Sequence, residues 1–215
     1  MRALSIVTMC LVLAACDNEP AEGKSVAEVS APVAAPATAA APAGAAAYAF
    51  SQDGSTLAFV GAKITGKHDG SFKAFSGTIT VPEGDLTKGS VALEVDTTSV
   101  ITDTEKLTTH LKSPDFFDVA KFPKATFTST SVAADTSKGG THVITGNLDL
   151  HGVTKSISFP ATVRLTAAGV EADAEFAINR KDFSIVYAGM PDDLIKDDVL
   201  MKLTLRAKPA TPAAG

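Results

Sequence analysis

Apolar and polar residues alternate along most of this chain with a period of two, the pattern of strands that bury one face and wet the other. In SVALEVDTTSV (90–100), Val91, Leu93 and Val95 oppose Ala92, Glu94 and Asp96. In THVITGNLDLHG (141–152), Ile144, Gly146, Leu148 and Leu150 share a face. SISFPATVRL (156–165) aligns Ile157, Phe159, Ala161, Val163 and Leu165, and GVEADAEFAI (169–178) sets Val170, Ala172, Ala174, Phe176 and Ile178 against three acids. VLMKLTLR (199–206) aligns Val199, Met201, Leu203 and Leu205. TLAFVGAKI (56–64), SGTITVP (76–82) and ATFTSTSV (125–132) complete about eight strands. The turns between them carry PEGD (82–85), KGG (138–140), HG (151–152) and AG (168–169). Short turns imply antiparallel neighbours, and the lack of helices between strands argues against a parallel α/β sheet. The expectation is an all-β fold, an eight-stranded antiparallel barrel, because closure removes exposed edges.

One stretch breaks the rule. ITDTEKLTTHLKS (101–113) has helical spacing, with Leu107 and Leu111 on one face beside His110, and Thr102 and Glu105 at the spacing of a capping box. Ser113-Pro114 reads as an N-cap and first helical proline, opening a short second turn. Phe116 and Phe117 then stand side by side, and two adjacent large residues cannot face one side of a strand. The insert is therefore expected across one end of the barrel, with at least one Phe plugged into it.

Composition changes the picture at the ends. Residues 1–15, MRALSIVTMCLVLAA, have the layout of a secretory signal, too short for a permanent span. Leu13-Ala14-Ala15-Cys16 looks like a lipobox, whose cysteine takes diacylglycerol and becomes the new N-terminus. With Cys10 removed and Cys16 acylated, the exported domain has no disulfide and no sulfur-based metal site. Residues 16–47 are rich in Ala and Pro and read as a disordered linker that, extended at ~3.1 Å per residue, reaches on the order of 90 Å. The domain is bounded at 48–207, and 208–215 reads as a disordered tail. Removing Arg2 leaves 18 basic residues against 24 acidic ones, a mature net charge of −6. Such a surface offers no footprint for nucleic acid and no polybasic patch for anionic lipid. Attachment to the membrane falls to the acyl chains.

Candidate chemistry is sparse. The four histidines, His68, His110, His142 and His151, have no metal-ligand spacing, and no metal is expected. There is no G-x-S-x-G elbow and no phosphate loop. His110, Asp115 and Asp118, with Arg180, could be drawn as an acid–base set; the plainer reading has the aspartates capping the turn after Pro114 and His110 and Arg180 holding the insert to the rim.

Several stretches together resemble one family: GSFKAFSGTI (70–79), HLKSPDFFDVAKFPKATFTST (110–130), GNLDLHGVTKSISFP (146–160), AINRKDFSI (177–185) and the acidic turn before DVLMKLTL. They resemble the YceI-like proteins of bacterial envelopes, associated with polyisoprenoid binding. The resemblance implies a lipocalin-like barrel whose elongated apolar interior takes a long-chain lipid of the quinone or polyprenyl type, with no cofactor besides that lipid. This chain departs from the pattern at AFVGAKITGKH, where His68 stands in the loop rather than early in the first strand.

The lining candidates are Phe59, Phe75, Leu93, Val95, Leu107, Leu111, Phe116, Phe117, Phe127, Leu148, Phe159, Val163, Phe176, Ile178 and Phe183, with His110 and Arg180 as polar rim. Small inward residues (Gly146, Ala161, Ala172, Ala174) either leave room for a ligand or sit where the barrel narrows and larger neighbours fill it. Three functions follow from these alternatives: a membrane-tethered binder that sequesters or ferries an apolar lipid, an enzyme acting on such a lipid, or a packed scaffold. The binder is the leading expectation, and an enzyme is not expected. The expected location is the bacterial envelope, facing the periplasm, with inner and outer membrane both open.

Overall fold

The computed structural model of the protein describes residues 19–34 and 45–210. In chain order its elements are β1 (Glu28–Ser30), β2 (Ala45–Ser51), β3 (Thr56–Lys63), β4 (Gly66–Phe72), β5 (Phe75–Pro82), β6 (Ser90–Asp96), β7 (Val100–Thr102) and α1 (Glu105–Lys112). There follow β8 (Lys124–Ala134), β9 (His142–Leu150), β10 (Val153–Thr166), β11 (Gly169–Asn179), β12 (Gly189–Met190), β13 (Asp193–Leu194) and β14 (Asp198–Pro209). The signal segment, the lipobox and Cys16 lie outside the described residues.

The expected barrel is present, and it is a meander. β8, β9, β10, β11 and β14 pair in sequence order, except that β14 follows β11 across a long loop. The remaining three ring strands are each broken in two. β2 and β3 lie end to end along β14, pairing at Tyr48–Ala49 and again at residues 56–60. β5 and β4 continue the ring against them, then β6 and β7. β6 pairs β8 and closes the circle. Every pairing in the ring is antiparallel; β3–β4, β9–β10 and β10–β11 turn on two residues each, and β5–β6 and β8–β9 on seven. At the His151-Gly152 turn both residues have positive φ, 54° and 72°, which suits the twist of a two-residue hairpin.

The two ends differ. At one end the β5–β6, β8–β9 and β10–β11 turns gather, and Leu86 caps the interior with Val81 and Val170 buried beneath it. At the other end the wall parts in two places. β7 does not continue against β8, whose pairing starts at Lys124 opposite Asp96; α1 packs on β7 in that position. β10 and β11 pair only over residues 162–166 and 169–173, and then diverge.

That second gap overturns the reading of 16–47 as a disordered linker, at least for residues 19–34. β1 enters between the parted strands, antiparallel to Ser156–Ser158 of β10, while Ala27 and Ala177 exchange backbone hydrogen bonds with the facing chain (Ala27 N–H to Ala177 O, 2.8 Å; Ala177 N–H to Ser25 O, 2.8 Å). Ala27 is buried, and Val29, opposite Ile157, packs against the core cluster that holds Phe159 and Phe176. The unpaired edges of β10 and β11 are the physical reason: buried backbone donors and acceptors need partners, and SVAEVS supplies them with small inward side chains. The barrel therefore starts before residue 48, and β14 runs two residues into the expected tail.

The insert's local chemistry also differs in detail from the expectation. The helix N-cap is Thr104, whose hydroxyl accepts from the Leu107 amide at 3.4 Å, not Thr102; Thr102 instead donates to Thr104 O at 2.8 Å. Ser113 ends α1 rather than starting a second helix, and its carbonyl accepts from the Phe116 and Asp118 amides. Asp118 turns the chain with a positive φ of 44°.

Candidate functional site

The parted end encloses a cavity of about 580 Å³. Its walls come from alternate residues of the ring: Leu57 and Phe59 on β3, Leu93 and Val95 on β6, Ala125 and Phe127 on β8, Leu148 and Leu150 on β9, Ile157 and Phe159 on β10, Phe176 and Ile178 on β11, and Val199, Met201 and Leu203 on β14. Leu107 and Leu111 of α1 cover it from above, and Phe116 and Phe117 descend into it. Both phenylalanines of the FF pair are used. Phe117 meets Phe59 and Phe72 edge-on, at 6.5 and 5.6 Å between ring centres. Phe116 joins His110 and Tyr187, at 4.9 and 5.4 Å, so that an aromatic trio ties α1 to the loop before β12. The insert is thus a roof made of side chains that no strand could have presented.

The floor is aromatic too. Phe159 and Phe176 stack at 4.1 Å with their planes 11° apart, and Phe127 leans on Phe159 at 5.8 Å. Below them a second void of about 70 Å³ lies among Val163, Ala161, Ala172 and Ala174. Of the two alternatives read from the small residues, the second is the one realised. The alanines mark the narrow, nearly filled end, and the room lies where the wall parts. Gly146 has a separate use: a Cβ there would stand 2.5 Å from the Phe127 ring, and one at Gly70 would stand 2.2 Å from the Phe59 ring. These glycines let two lining rings lie flat on the wall instead of projecting into the cavity.

Of the fifteen apolar candidates, Phe59, Leu93, Val95, Leu107, Leu111, Phe116, Phe117, Phe127, Leu148, Phe159, Phe176 and Ile178 line the main cavity. Val163 borders only the small void. Phe75 and Phe183 are corrections: both are buried in the core clusters and touch neither space. Phe183 sits in the short 3-10 turn after β11, fully enclosed, with its carbonyl accepting from His151 Nδ1 at 3.2 Å. Sequence reasoning missed Tyr187, Ile185 and Ile195, which lie in a loop without periodicity, and Leu57 and Met201, which the alternation does place on the inward face.

Charged and imidazole groups along the lining gather at the mouth: Lys63, His68, Lys106, His110, Arg180, Asp193 and Lys196. His68 is a strand residue of β4 opposite Gly61, not a loop residue, and its Nδ1 contacts Asp103 at 3.0 Å. His110 Nε2 contacts Asp115 Oδ2 at 2.9 Å, so Asp115 partners the helix rather than capping the following turn. Arg180 is 5% exposed, and four of its five donors go to the long loop between β11 and β14: Nε to Lys196 O at 3.0 Å, Nη1 to Ile185 O at 2.8 Å, Nη2 to Ile195 O and to Asp197 Oδ1 at 3.3 and 3.1 Å. It holds that loop, not the α1 insert. Burial draws its pKa below the ordinary guanidinium value, and Asp197 opposes the fall. The loop's tip is fixed from the other side, where Asp193 accepts from Lys63 and from the Thr65 amide. Lys63 and Thr65 hold the Asp193 carboxyl below the usual carboxylate range. Among the described residues no cluster of His, Cys, Asp and Glu gathers to hold a metal ion.

Fold and cavity together define the class: a closed antiparallel barrel of eight ring strands, apolar inside and open at one end. The chain belongs to the YceI-like family, whose domain model matches residues 48–207. Curated relatives called Protein YceI, from Salmonella arizonae and Salmonella newport, are each 41% identical over 124 residues, 54% of this chain and 62% of theirs. The chain thus spans somewhat less than two thirds of those relatives. BcnA from Burkholderia cenocepacia superposes with a TM-score of 0.63 at 26% identity, over 72% of this chain and 96% of its own. A domain from Saccharophagus degradans, described as polyisoprenoid binding and implicated in plant cell wall breakdown, shares the fold with a TM-score of 0.59 at 23% identity, over 77% of this chain and 99% of its own.

Proposed function

We propose that this protein is a lipoprotein of the bacterial envelope, facing the periplasm and anchored through acylated Cys16, that holds a long-chain isoprenoid or similar apolar lipid inside its barrel for sequestration or transfer. The observation that carries the reading is the apolar cavity of about 580 Å³, open at one end, within the ~300–1,000 Å³ of ordinary ligand sites. A chain lipid lying there is held by area, about 2.5 kcal/mol for each 100 Å² taken from water. Its polar head stays at the mouth among Lys63, Lys106 and His110, since the deeper wall offers nothing to pair with it. The family and the polyisoprenoid-binding domain of similar fold support the same ligand class.

The competing reading, an enzyme built on His110 and Arg180, loses most of a residue to geometry: four of the five Arg180 donors are already taken, by three carbonyls and Asp197. The test is extraction. Full-length protein purified gently from its own membrane is expected to yield one isoprenoid-type lipid by mass spectrometry. Leu148→Trp, which puts an indole into the cavity, is expected to yield much less at the same purity. Lipid-free wild-type preparations from repeated purifications would refute the proposal.

A further inference from the structure

Large apolar side chains are exposed around the mouth in a way that folding does not require. Ile64 at the β3–β4 turn is 53% exposed, Val186 64%, Met190 62% and Leu194 45%. They belong to one structure. The Ile64 amide donates to Leu194 O at 3.1 Å, Lys63 bridges to Ile195, and β12 pairs β13 through Gly189–Leu194 and Met190–Asp193. Tyr187, Met190 and Ile195 border the cavity, so the exposed patch is continuous with the opening. At the opposite end the β10–β11 turn presents Ala167 and Ala168, with Leu165 (37%) the nearest large residue.

The chain's own path supplies a second observation. Residues 19–25 come down the outside of the barrel from the mouth before β1 turns back into the wall. Glu19 pairs with Lys196 at 2.7 Å, and Lys196 borders the opening. Lys24 pairs with Glu175 further down β11 at 3.1 Å. The described chain therefore begins beside the mouth. Cys16 precedes Glu19 by three residues, and an extended chain covers at most ~3.6 Å per residue, so an anchor there leaves a tether of at most roughly 11 Å. Lys63 is paired with Asp193 and Lys196 with Glu19, which leaves Lys106, among the lysines of the mouth, without an ion pair to the described residues and gives the patch little preference for anionic surfaces.

We infer that the mouth rim, Ile64, Val186, Met190 and Leu194, is a membrane-docking surface that enters the facing leaflet of a phospholipid bilayer and presses the cavity's opening onto it. The inference rests on the proposed anchoring through Cys16 and adds an orientation: mouth down, the β10–β11 turn outward. Apolar insertion drives the contact, so it is insensitive to salt. A lipid then passes between bilayer and cavity without crossing water.

The test uses the full-length chain purified from membranes, with a single cysteine introduced in place of Met190 or, at the far end, Ala168, and labelled with an environment-sensitive fluorophore. The labelled chains are reconstituted into phosphatidylcholine vesicles containing doxyl-labelled lipid. The expected result is several-fold stronger quenching at position 190 than at 168, unchanged when anionic lipid is added or salt is raised. Equal quenching at both positions overturns the inference. So does a position-190 signal that follows protein concentration rather than vesicles, which would mark a contact between two copies. A chain without the introduced cysteine that takes up label would reveal a free thiol at Cys16, or an uncleaved signal carrying Cys10, and also overturn it. The lipid extract is independent: bound lipid with equal quenching removes the docking alone, and strong quenching without bound lipid removes the cargo alone.

Discussion

The two ends of this barrel are built from the same strands and hold very different interiors. At the closed end the strands stay paired in register, and Val81, Val170, Leu205 and their neighbours leave about 70 Å³. At the open end the wall parts at β7–β8 and at β10–β11, and about 580 Å³ remains. The difference is not one of side-chain size, since the large phenylalanines line the roomier half. It teaches that volume here is made by the backbone. Where hydrogen-bonded registry ends, segments that are not ring strands, α1 and β1, close the wall at a greater radius.

Breaking the boundary between the halves should have the largest effect. Phe159→Ala removes one member of the stacked pair at the floor and merges the two spaces; a loss of about 3–5 kcal/mol is expected in urea unfolding. Next comes the seal at β10–β11. Ala27→Asp places a carboxylate where a methyl group is buried, and about 2–3 kcal/mol of destabilisation is expected by the same measurement. A substitution that leaves the fold standing but fills the open half is Gly70→Val. Its side chain meets the Phe59 ring and turns it inward, at about 1–2 kcal/mol, with a clear fall in extractable lipid. An unchanged lipid content would show that the flat-lying ring does not set the cavity's width.

The smallest effect concerns acid. Asp193 pins the β12–β13 loop to β3, and its carboxyl lies below the usual range because Lys63 and Thr65 stabilise the ionised form. A depressed folded value means that the contribution is complete above the unfolded value and is lost as pH falls through the folded one. Below the ordinary carboxylate range the loop should loosen while the barrel stays closed. Amide exchange, corrected for its intrinsic pH dependence, should then quicken at Ile64, which donates to Leu194 O, and not at Phe59 within β3. Equal changes at both amides would place the acid sensitivity in the barrel as a whole.

The strands were readable because alternation is a local signal: each of the eight segments names its own inward face. The roof was readable for a related reason, since a helix with Leu107 and Leu111 on one stripe and an FF pair fit no strand. What could not be read was where pairing stops. Nothing in SISFPATVRL tells that only its second half pairs with GVEADAEFAI, because divergence is decided by neighbours distant in sequence. For the same reason SVAEVS, short and set in an Ala/Pro-rich run, looked like linker; its alternation of Ala27 and Val29 against Glu28 was the only sign, and three residues are too few to weigh. Phe75 and Phe183 were assigned to the lining because hydrophobicity marks burial without saying which buried surface is served.

β1 bears on how the molecule would be cut. The family match begins at residue 48, yet the stave that completes the side of the vessel lies twenty residues upstream. A fragment trimmed to the matched region would keep the floor and the roof but carry a slit along its flank, bordered by the bare edge of Ser156–Ser158. Such a fragment could leak its contents sideways or zip edge to edge with its own kind, and its behaviour would say little about the intact protein.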